Sequence, residues 1–139
     1  AFSKRAGVLR GLHFQAPPHA QGKLVSCLSG KILDIVVDIR KTSETYGKHL
    51  TVVLDSEIGN QLFVPKGLAH GYLTLVPDCH VQYKVDAYYN KESERGLCWN
   101  DPQLAINWQS AGITPTLSDK DKTWPVLDDL PAYFNLSRS

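Results

Sequence analysis

Short β-rich runs separated by turn residues restrict the fold of this chain more than any other feature. Helical periodicity is nearly absent, whereas runs rich in Val, Ile, Leu and Tyr alternate with clusters of Gly, Pro, Asn, Asp and Ser. This spacing is typical of an all-β sandwich or a closed barrel. The predicted strands are Lys23–Leu28, Lys31–Arg40, His49–Leu54, Gln61–Val64, Gly71–Leu75 and Val81–Tyr89, with shorter candidates at Leu97–Trp99 and Ala105–Trp108.

The C-terminal part of the chain contains the one segment that resembles a helix start. Ser118–Lys122 opens with a possible N-cap serine and carries acidic residues behind it. The segment Trp124–Phe134 contains two prolines and is expected to be irregular or briefly helical. Without an internal repeat or a linker, the 139 residues predict a single domain over residues 1–139.

Charge and cysteine content exclude several classes of protein. Fifteen Lys and Arg residues against fourteen Asp and Glu leave a formal charge of +1, so neither nucleic acid nor a membrane surface is expected as a partner. Three cysteines without a C-x-x-C pair indicate neither a disulfide framework nor a zinc knuckle. A reducing compartment, the cytoplasm, is the simplest expectation, and no signal peptide or apolar membrane span is recognisable.

The beginning of the sequence suggests that residues precede it in the natural protein. The chain starts at Ala1, without methionine, and runs almost directly into the dense motif GVLRGLHFQ. In an extended conformation this motif places His13 on one face together with Gly11 and Gln15. From residue types alone, His13 is either a partly desolvated base or a core histidine with satisfied hydrogen bonds.

Two further segments carry groups that could transfer protons. Period two over Val81–Tyr89 puts Tyr88 on the polar row with Gln82 and Lys84, where its phenol could face a ligand, although a packing tyrosine fits equally well. In Ser118–Asp121 an acidic pair at a helix start commonly serves capping.

The turn PKGLAHG resembles the second signature motif of cupin barrels, in which proline and glycine shape a turn that aims a histidine inward. That histidine is His70. Metal-binding cupins add an H-x-H pair, but the earlier motif offers only His13, followed two positions later by Gln15. Because fewer than three convergent ligands make a poor site for a divalent ion, no metal is expected.

Taken together, the segments resemble the dTDP-4-dehydrorhamnose 3,5-epimerase family. The resemblance covers nearly the whole chain from residue 7 to about residue 121. The matching elements are GVLRGLHFQ, QGKLVSCLSGKILDIVVDIRKTSETYGKHL, FVPKGLAHGYLTL, YKVDAYY, LCWNDPQLAINW and LSDKD. The resemblance implies an all-β, cupin-type jelly-roll β-barrel with a short C-terminal helical segment, and a homodimer. The family's N-terminal region, which helps to hold the nucleotide across the dimer, does not appear in this sequence.

The resemblance also implies roles for individual residues. His13 is expected to be the catalytic base, Asp121 its paired carboxylate, Lys23 and His70 further active-site residues, and Tyr88 the acid. The implied substrate-binding residues are Arg10, Gln15 and Lys120, of which Arg10 and Lys120 match positions associated with the nucleotide's phosphates. Asp34 could orient His70 or Lys23.

The implied reaction inverts C3 and C5 of dTDP-4-dehydro-6-deoxy-D-glucose through an enolate, without a cofactor. A histidine suits proton removal beside a ketone, and the sequence contains no G-x-G-x-x-G motif of the nicotinamide-binding type. Three alternatives remain at this point: an epimerase that acts on one centre only, a non-catalytic sugar-nucleotide-binding barrel, and a metal-dependent cupin.

Overall fold

The computed structural model describes residues 1–108, 112 and 114–135, and these residues form two antiparallel β-sheets that pack face to face. The larger sheet has the strand order β5-β4-β7-β2-β9, and the smaller has the order β1-β8-β3-β6. The strands are β1 (Phe2–Ser3), β2 (Leu9–Gln15), β3 (Lys23–Ser29), β4 (Lys31–Asp38), β5 (His49–Asp55), β6 (Gln61–Val64), β7 (Leu68–Thr74), β8 (Cys79–Val85) and β9 (Glu94–Gly96). The all-β prediction is confirmed.

A first core fills the space between the two sheets. It combines side chains of both sheets because inward-facing residues alternate along each strand. Its fully buried members include Val25 of β3, Ile32 of β4 and Tyr72 of β7. Strand β4 also points Asp34 into this space, so a carboxylate lies inside an otherwise apolar layer.

A second core covers the outer face of the larger sheet. Leu12, Ile35 and Leu73 point outward from three neighbouring strands and are completely buried. The residues that cover them come from the segment after β9, which contains no strand within the described residues and includes the buried Leu127 and Leu130. The C-terminal part of the chain therefore acts as the second layer for this face.

Short 3₁₀ helices replace the α-helix start predicted at Ser118–Lys122. The structure has 3₁₀ turns at Lys91–Ser93, Lys120–Lys122 and Leu127–Asp129. The tail is irregular, as its prolines predict. Among the described residues, no helix is long and apolar enough to cross a membrane.

Strand β8 ends earlier than the sequence predicts. The run Val81–Tyr89 was expected to continue as one strand, but β8 stops at Val85, because Asp86 turns the chain toward the segment before β3. The Asp86 carboxylate accepts a hydrogen bond from the Gly22 amide at 2.7 Å, and the Asp86 amide donates to the Gly22 carbonyl at 3.2 Å. Leu97–Trp99 and Ala105–Trp108 form no strand in the described chain, whereas β9 was missed.

A register shift interrupts the pairing of β2 with β7 between Arg10 and His13. Gly11 lies in this irregularity with φ +132°, and a Cβ atom placed on it would lie 2.7 Å from the Cα of Gly71. Only glycine fits this close approach of two backbones. The shift places Leu12 in the outer core and turns His13 toward the space between the sheets.

We expect Gly11→Ala to lower the free energy of unfolding by roughly 3 kcal/mol, because the substitution adds a backbone clash to an unfavourable φ. Gly59→Ala is the matched control: Gly59 has φ +74° but no atom within 4 Å of an added Cβ. It should cost only roughly 1 kcal/mol. Urea unfolding followed by circular dichroism measures both, and equal losses would contradict the close-approach argument.

Candidate active site

His13 of β2 is hydrogen-bonded to Asp121, which belongs to the 3₁₀ turn Lys120–Lys122. The His13 Nε2 and Asp121 Oδ1 atoms are 2.5 Å apart, and the side-chain exposures are 26% and 4%. The two residues are 108 positions apart in sequence. The predicted histidine–carboxylate pair is thus present as a direct contact, with the histidine facing a cavity and the carboxylate buried behind it.

The Asp121 carboxylate is held by two further donors. Gly11 donates its amide to Oδ2 at 3.2 Å, and Trp124 donates its indole N–H to Oδ1 at 3.0 Å. Burial alone would raise the pKa of Asp121, but the hydrogen bonds and the charge of His13 outweigh it and hold the pKa below its usual value. An ionised carboxylate only accepts hydrogen bonds, so the Nε2 atom of His13 is the donor in this contact.

Trp124 also fixes the ring of His13 from the side. The two rings meet edge to face, with centroids 6.1 Å apart. The indole lies against the backbone of Gly96, where a Cβ would overlap it, so β9 needs a glycine at this position. Because β9 pairs Gly96 with His13, the strand register brings the His13 imidazole close to the indole that is hydrogen-bonded to Asp121.

A cavity of about 270 Å³ opens in front of His13, between the two sheets. Both sheets contribute to its wall: β2 and β9 from the larger one, β3 and β8 from the smaller one. Its lining combines apolar and polar side chains, as is common for small-molecule sites. The lining residues are His13, Phe14, Gln15, Gln21, Lys23, Tyr83, Val85, Tyr89 and Glu94.

Lys23, the first residue of β3, brings its ammonium group into this cavity. Burial lowers the pKa of Lys23 from its ordinary 10.5, and the carboxylates of Asp34 and Glu94 offset part of the effect. The ammonium lies 5.6 Å from the ring centroid of Tyr83. A partly desolvated cation at this position can stabilise negative charge that develops on a bound oxygen.

His70 of β7 lies behind the cavity wall, outside the cavity lining. Its side chain is 2% exposed, and its Nε2 atom is 2.6 Å from Oδ1 of the fully buried Asp34. The expectation that Asp34 orients His70 therefore holds as a direct contact. His70 meets the ring of Tyr83 at right angles, with centroids 5.8 Å apart, so the dyad supports the group that does line the cavity.

Tyr83 of β8 is the cavity residue that the sequence analysis missed. Burial, together with the neighbouring Tyr72 and Asp34, raises the pKa of Tyr83 well above its usual 10.0, so its phenol stays protonated. The signal was present in the sequence, because period two puts Tyr83 on the same row as Val81 and Val85. In β8, Cys79 and Val81 of this row are buried between the sheets, and Tyr83 and Val85 of the same row line the cavity while 38% and 48% exposed. The row of His80, Gln82 and Lys84 is exposed to solvent.

The placement of Tyr88 corrects the sequence analysis. Tyr88 is 95% exposed and lines a different cavity, with Val85, Asp86 and Ala87. The structure does not bring it together with His13. The reason is the early end of β8: beyond Val85 the alternation of a strand no longer governs where side chains point.

Arg10 and Lys120 lie together on the other side of His13. Both line a second cavity of about 240 Å³ that also includes His13, Ser118 and Asp121. Two cationic side chains near His13 and Asp121 form a suitable place for an anionic group. These two residues were the expected phosphate contacts, and both line this one cavity.

Gln15 lines the cavity, but its amide is engaged within the chain. Its Nε2 atom donates to the carbonyls of His19 at 2.6 Å and Tyr88 at 3.3 Å, and its Oε1 atom accepts from the Asn90 amide at 2.9 Å. These bonds fix the loop after β8. A substrate contact of Gln15 stays a prediction that the observed hydrogen bonds do not support.

Glu94 of β9 is a second lining residue that the sequence analysis did not single out. Its carboxylate accepts from the Lys120 ammonium and from the Tyr89 hydroxyl, each at 2.9 Å. Among the described residues, no group of three or more His, Cys, Asp or Glu side chains is arranged to hold a metal ion.

Comparison with known proteins gives a consistent family. The family model of dTDP-4-dehydrorhamnose 3,5-epimerase matches residues 1–129. The enzyme of that name from Sinorhizobium fredii is 48% identical over 134 residues, which cover 96% of this chain and 68% of that protein. The chain thus spans about two thirds of the length of this relative.

Solved structures agree with the sequence comparison. The 3,5-epimerase of Legionella pneumophila in complex with dTDP-4-keto-L-rhamnose superposes with a TM-score of 0.92 at 41% identity, covering 99% of this chain and 72% of that one. A double mutant of ChmJ, a 3′-monoepimerase from Streptomyces bikiniensis, in complex with dTDP, gives 0.86 at 34% identity, covering 92% and 63%. The two sheets are those of the cupin-type jelly roll, and the chain belongs to the dTDP-4-dehydrorhamnose 3,5-epimerase family.

Proposed function

We propose that this chain epimerises C3 and C5 of dTDP-4-dehydro-6-deoxy-D-glucose to give dTDP-4-dehydro-L-rhamnose. One observation carries the proposal: His13, Lys23 and Tyr83 line a single cavity, and Asp121 is hydrogen-bonded to His13 from behind. A base, a cation and a protonated phenol around one cavity are the groups that an epimerisation beside a ketone requires.

His13 acts as the base in the proposed reaction. Both C3 and C5 lie next to the C4 ketone, so removal of their protons gives an enolate. The ionised Asp121 fixes the tautomer of His13 and stabilises the imidazolium formed when the proton is taken. A base positioned in this way contributes about 10²–10⁴-fold to a rate.

Lys23 stabilises the enolate. Negative charge grows on the C4 oxygen as the proton leaves, and an ammonium group held in a partly buried cavity interacts with that charge more strongly than in water. Because the ketone itself acidifies the neighbouring carbons, the chemistry of these residues requires neither a metal nor a nicotinamide.

Tyr83 returns the proton on the opposite face of the sugar. Its raised pKa keeps the phenol protonated at neutral pH, and it reaches the cavity from the smaller sheet, whereas His13 reaches it from the larger sheet. The ChmJ double mutant replaces a histidine by asparagine and a tyrosine by phenylalanine. Those two positions have the same separation in sequence as His13 and Tyr83, which supports this assignment over Tyr88.

The nucleotide part of the substrate is proposed to lie on the side of Arg10 and Lys120. The Legionella pneumophila relative was solved with dTDP-4-keto-L-rhamnose, and the ChmJ structure with dTDP. A diphosphate beside His13 would meet the two cations of the second cavity. His70 and Asp34 are proposed to hold Tyr83 in place from behind.

A homodimer in the cytoplasm is the proposed setting. Among the residues that the structure describes, no strand pairs with the outer edge of β5 or of β6, and the exposed Leu50 and Phe63 lie on these strands. An open edge strand of this kind can pair with a strand of a second chain. The free thiols of Cys27, Cys79 and Cys98 fit a reducing compartment. Sedimentation of the protein at several concentrations tests the dimer.

Solvent deuterium should enter the substrate at both C3 and C5 when dTDP-4-dehydro-6-deoxy-D-glucose is incubated with the protein in D₂O. His13→Asn should abolish both exchanges, because His13 is the proposed base for both carbons. NMR of the recovered nucleotide sugar measures both positions. Label at one carbon would indicate a single-centre epimerase, and binding without any label a non-catalytic barrel.

Tyr83→Phe should lower the rate of epimerisation by about 10²–10⁴-fold, since the phenol that returns the proton is removed. Tyr88→Phe is the matched control, a tyrosine five positions later in an exposed place outside the cavity. It should keep the rate within about threefold of the unmodified protein. The assignment of the acid fails if Tyr88→Phe is the inactive variant and Tyr83→Phe the active one.

The alkaline limb of the pH profile should fall below pH 10.5. Burial lowers the pKa of Lys23 from 10.5, so the ammonium that stabilises the enolate is present at low pH and is lost as pH rises through the lowered value. Tyr83 titrates later, because its pKa is raised well above 10.0. Rates of exchange at increasing pH measure the limb, and Lys23→Met should lower the rate about 10²–10³-fold. An unchanged limb in Lys23→Met would show that another group titrates.

A further inference from the structure

Glu94 forms hydrogen bonds with two segments that lie outside the strands. One is the loop after β8, which carries Tyr89, and the other is the 3₁₀ turn Lys120–Lys122. Both carboxylate oxygens are used: Oε1 accepts from Lys120 and Oε2 from Tyr89, each at 2.9 Å. The side-chain exposure of Glu94 is 17%, against 54% for Lys120, so the carboxylate is the more enclosed partner.

Strand register places Glu94 beside the base. In the pairing of β2 with β9, Glu94 lies opposite Gln15 and Gly96 opposite His13. Residues two apart on a strand share a face, so Glu94 points to the same side as the cavity in front of His13. Glu94 lines that cavity, whereas Lys120 lines the neighbouring cavity with Arg10. The ion pair therefore stands at the boundary between the two cavities.

The pKa shifts of Glu94, Lys120 and Tyr89 all favour a charged Glu94–Lys120 pair and a protonated Tyr89. Burial alone would raise the pKa of Glu94, but Lys120 and Tyr89 outweigh it and hold that pKa below its usual value. The same carboxylate raises the pKa of Lys120 and that of Tyr89. Glu94 is an anion, Lys120 a cation and Tyr89 a neutral donor near pH 7. The charged and titratable groups that face Glu94 are Lys120, Tyr89, His13 and Lys23.

Lys120 precedes Asp121, the carboxylate that holds His13. A flexible lysine would bind a diphosphate only after losing side-chain entropy, and a partner that already fixes it removes part of this cost. Lysine has three donors, so one can remain on Glu94 while others meet a phosphate. Lys120 can therefore keep its contact with Glu94 both in the free protein and when a diphosphate is bound.

We propose that Glu94 is a positioning residue: it fixes Lys120 and Tyr89 at the boundary of the two cavities, so that a diphosphate-linked sugar meets His13 in one orientation. This inference rests on the proposed function, because it takes the second cavity as the place of the diphosphate. Glu94 acts through Lys120 and Tyr89 and leaves the proton transfers to His13 and Tyr83.

A double-mutant cycle tests the coupling, with dTDP as the probe and calorimetry as the measurement. Lys120→Met should weaken binding of dTDP by about fivefold in the unmodified protein, but by less than about twofold in Glu94→Gln, because Lys120 is no longer fixed there. Glu92→Gln is the matched control, since Glu92 is an exposed carboxylate two positions away and lines neither cavity. In that background the effect of Lys120→Met should stay near fivefold.

Deuterium exchange supplies the second measurement. Glu94→Gln should lower kcat/KM for exchange about tenfold with an unchanged thermal midpoint, and adding Lys120→Met should lower it little further. Equal effects of Lys120→Met on dTDP binding in all backgrounds would overturn the inference. A protein that binds dTDP but exchanges no hydrogen would overturn the proposed function alone, and the binding cycle would still decide the role of Glu94. Failure of the unmodified protein to bind dTDP would overturn both.

Discussion

The rest of the candidate site depends on the hydrogen bond between His13 and Asp121. It connects a central strand of the larger sheet with a 3₁₀ turn more than a hundred positions later. Asp121 can be ionised inside the protein because Gly11, Trp124 and His13 all donate to it or face it with positive charge. Most of these contacts depend on irregular backbone, namely the register shift of β2 and the segment after β9.

Strand alternation made much of the fold predictable from sequence, and its interruptions account for most of the errors. The limits of β6 agree with the prediction, and those of β3 and β5 differ from it by one residue. Strand β9 has only three residues and is held by pairing with β2, so no local pattern could reveal it. Where the sequence predicted a helix start at Ser118–Lys122, the structure has a 3₁₀ turn at Lys120–Lys122, whose Asp121 side chain is hydrogen-bonded to His13.

Site residues could be predicted where a recognisable sequence motif lines the cavity. They could not be predicted where a side chain's position depends on contacts with residues distant in sequence. His13 and Lys23 both line the cavity, and each belongs to a motif, GVLRGLHFQ or QGKLV, that is recognisable in the sequence. For β8, the row of Tyr83 also holds Val81 and Val85 and so favours the face toward the other sheet, but Tyr88 was chosen from the polar row instead. The role of Glu94 depends on Lys120, a residue that sequence places far away.

The cover of the larger sheet has a consequence for inactivation. The outer face of the larger sheet is covered by the segment after β9, which contains no strand within the described residues. The same segment places Asp121 against His13. Segments that make few backbone ladder bonds open at a lower free-energy cost than sheet cores. Detachment of Leu127 and Leu130 from the sheet would withdraw the carboxylate from His13. Heat or mild denaturant should therefore abolish turnover while the strand content of the protein is still intact.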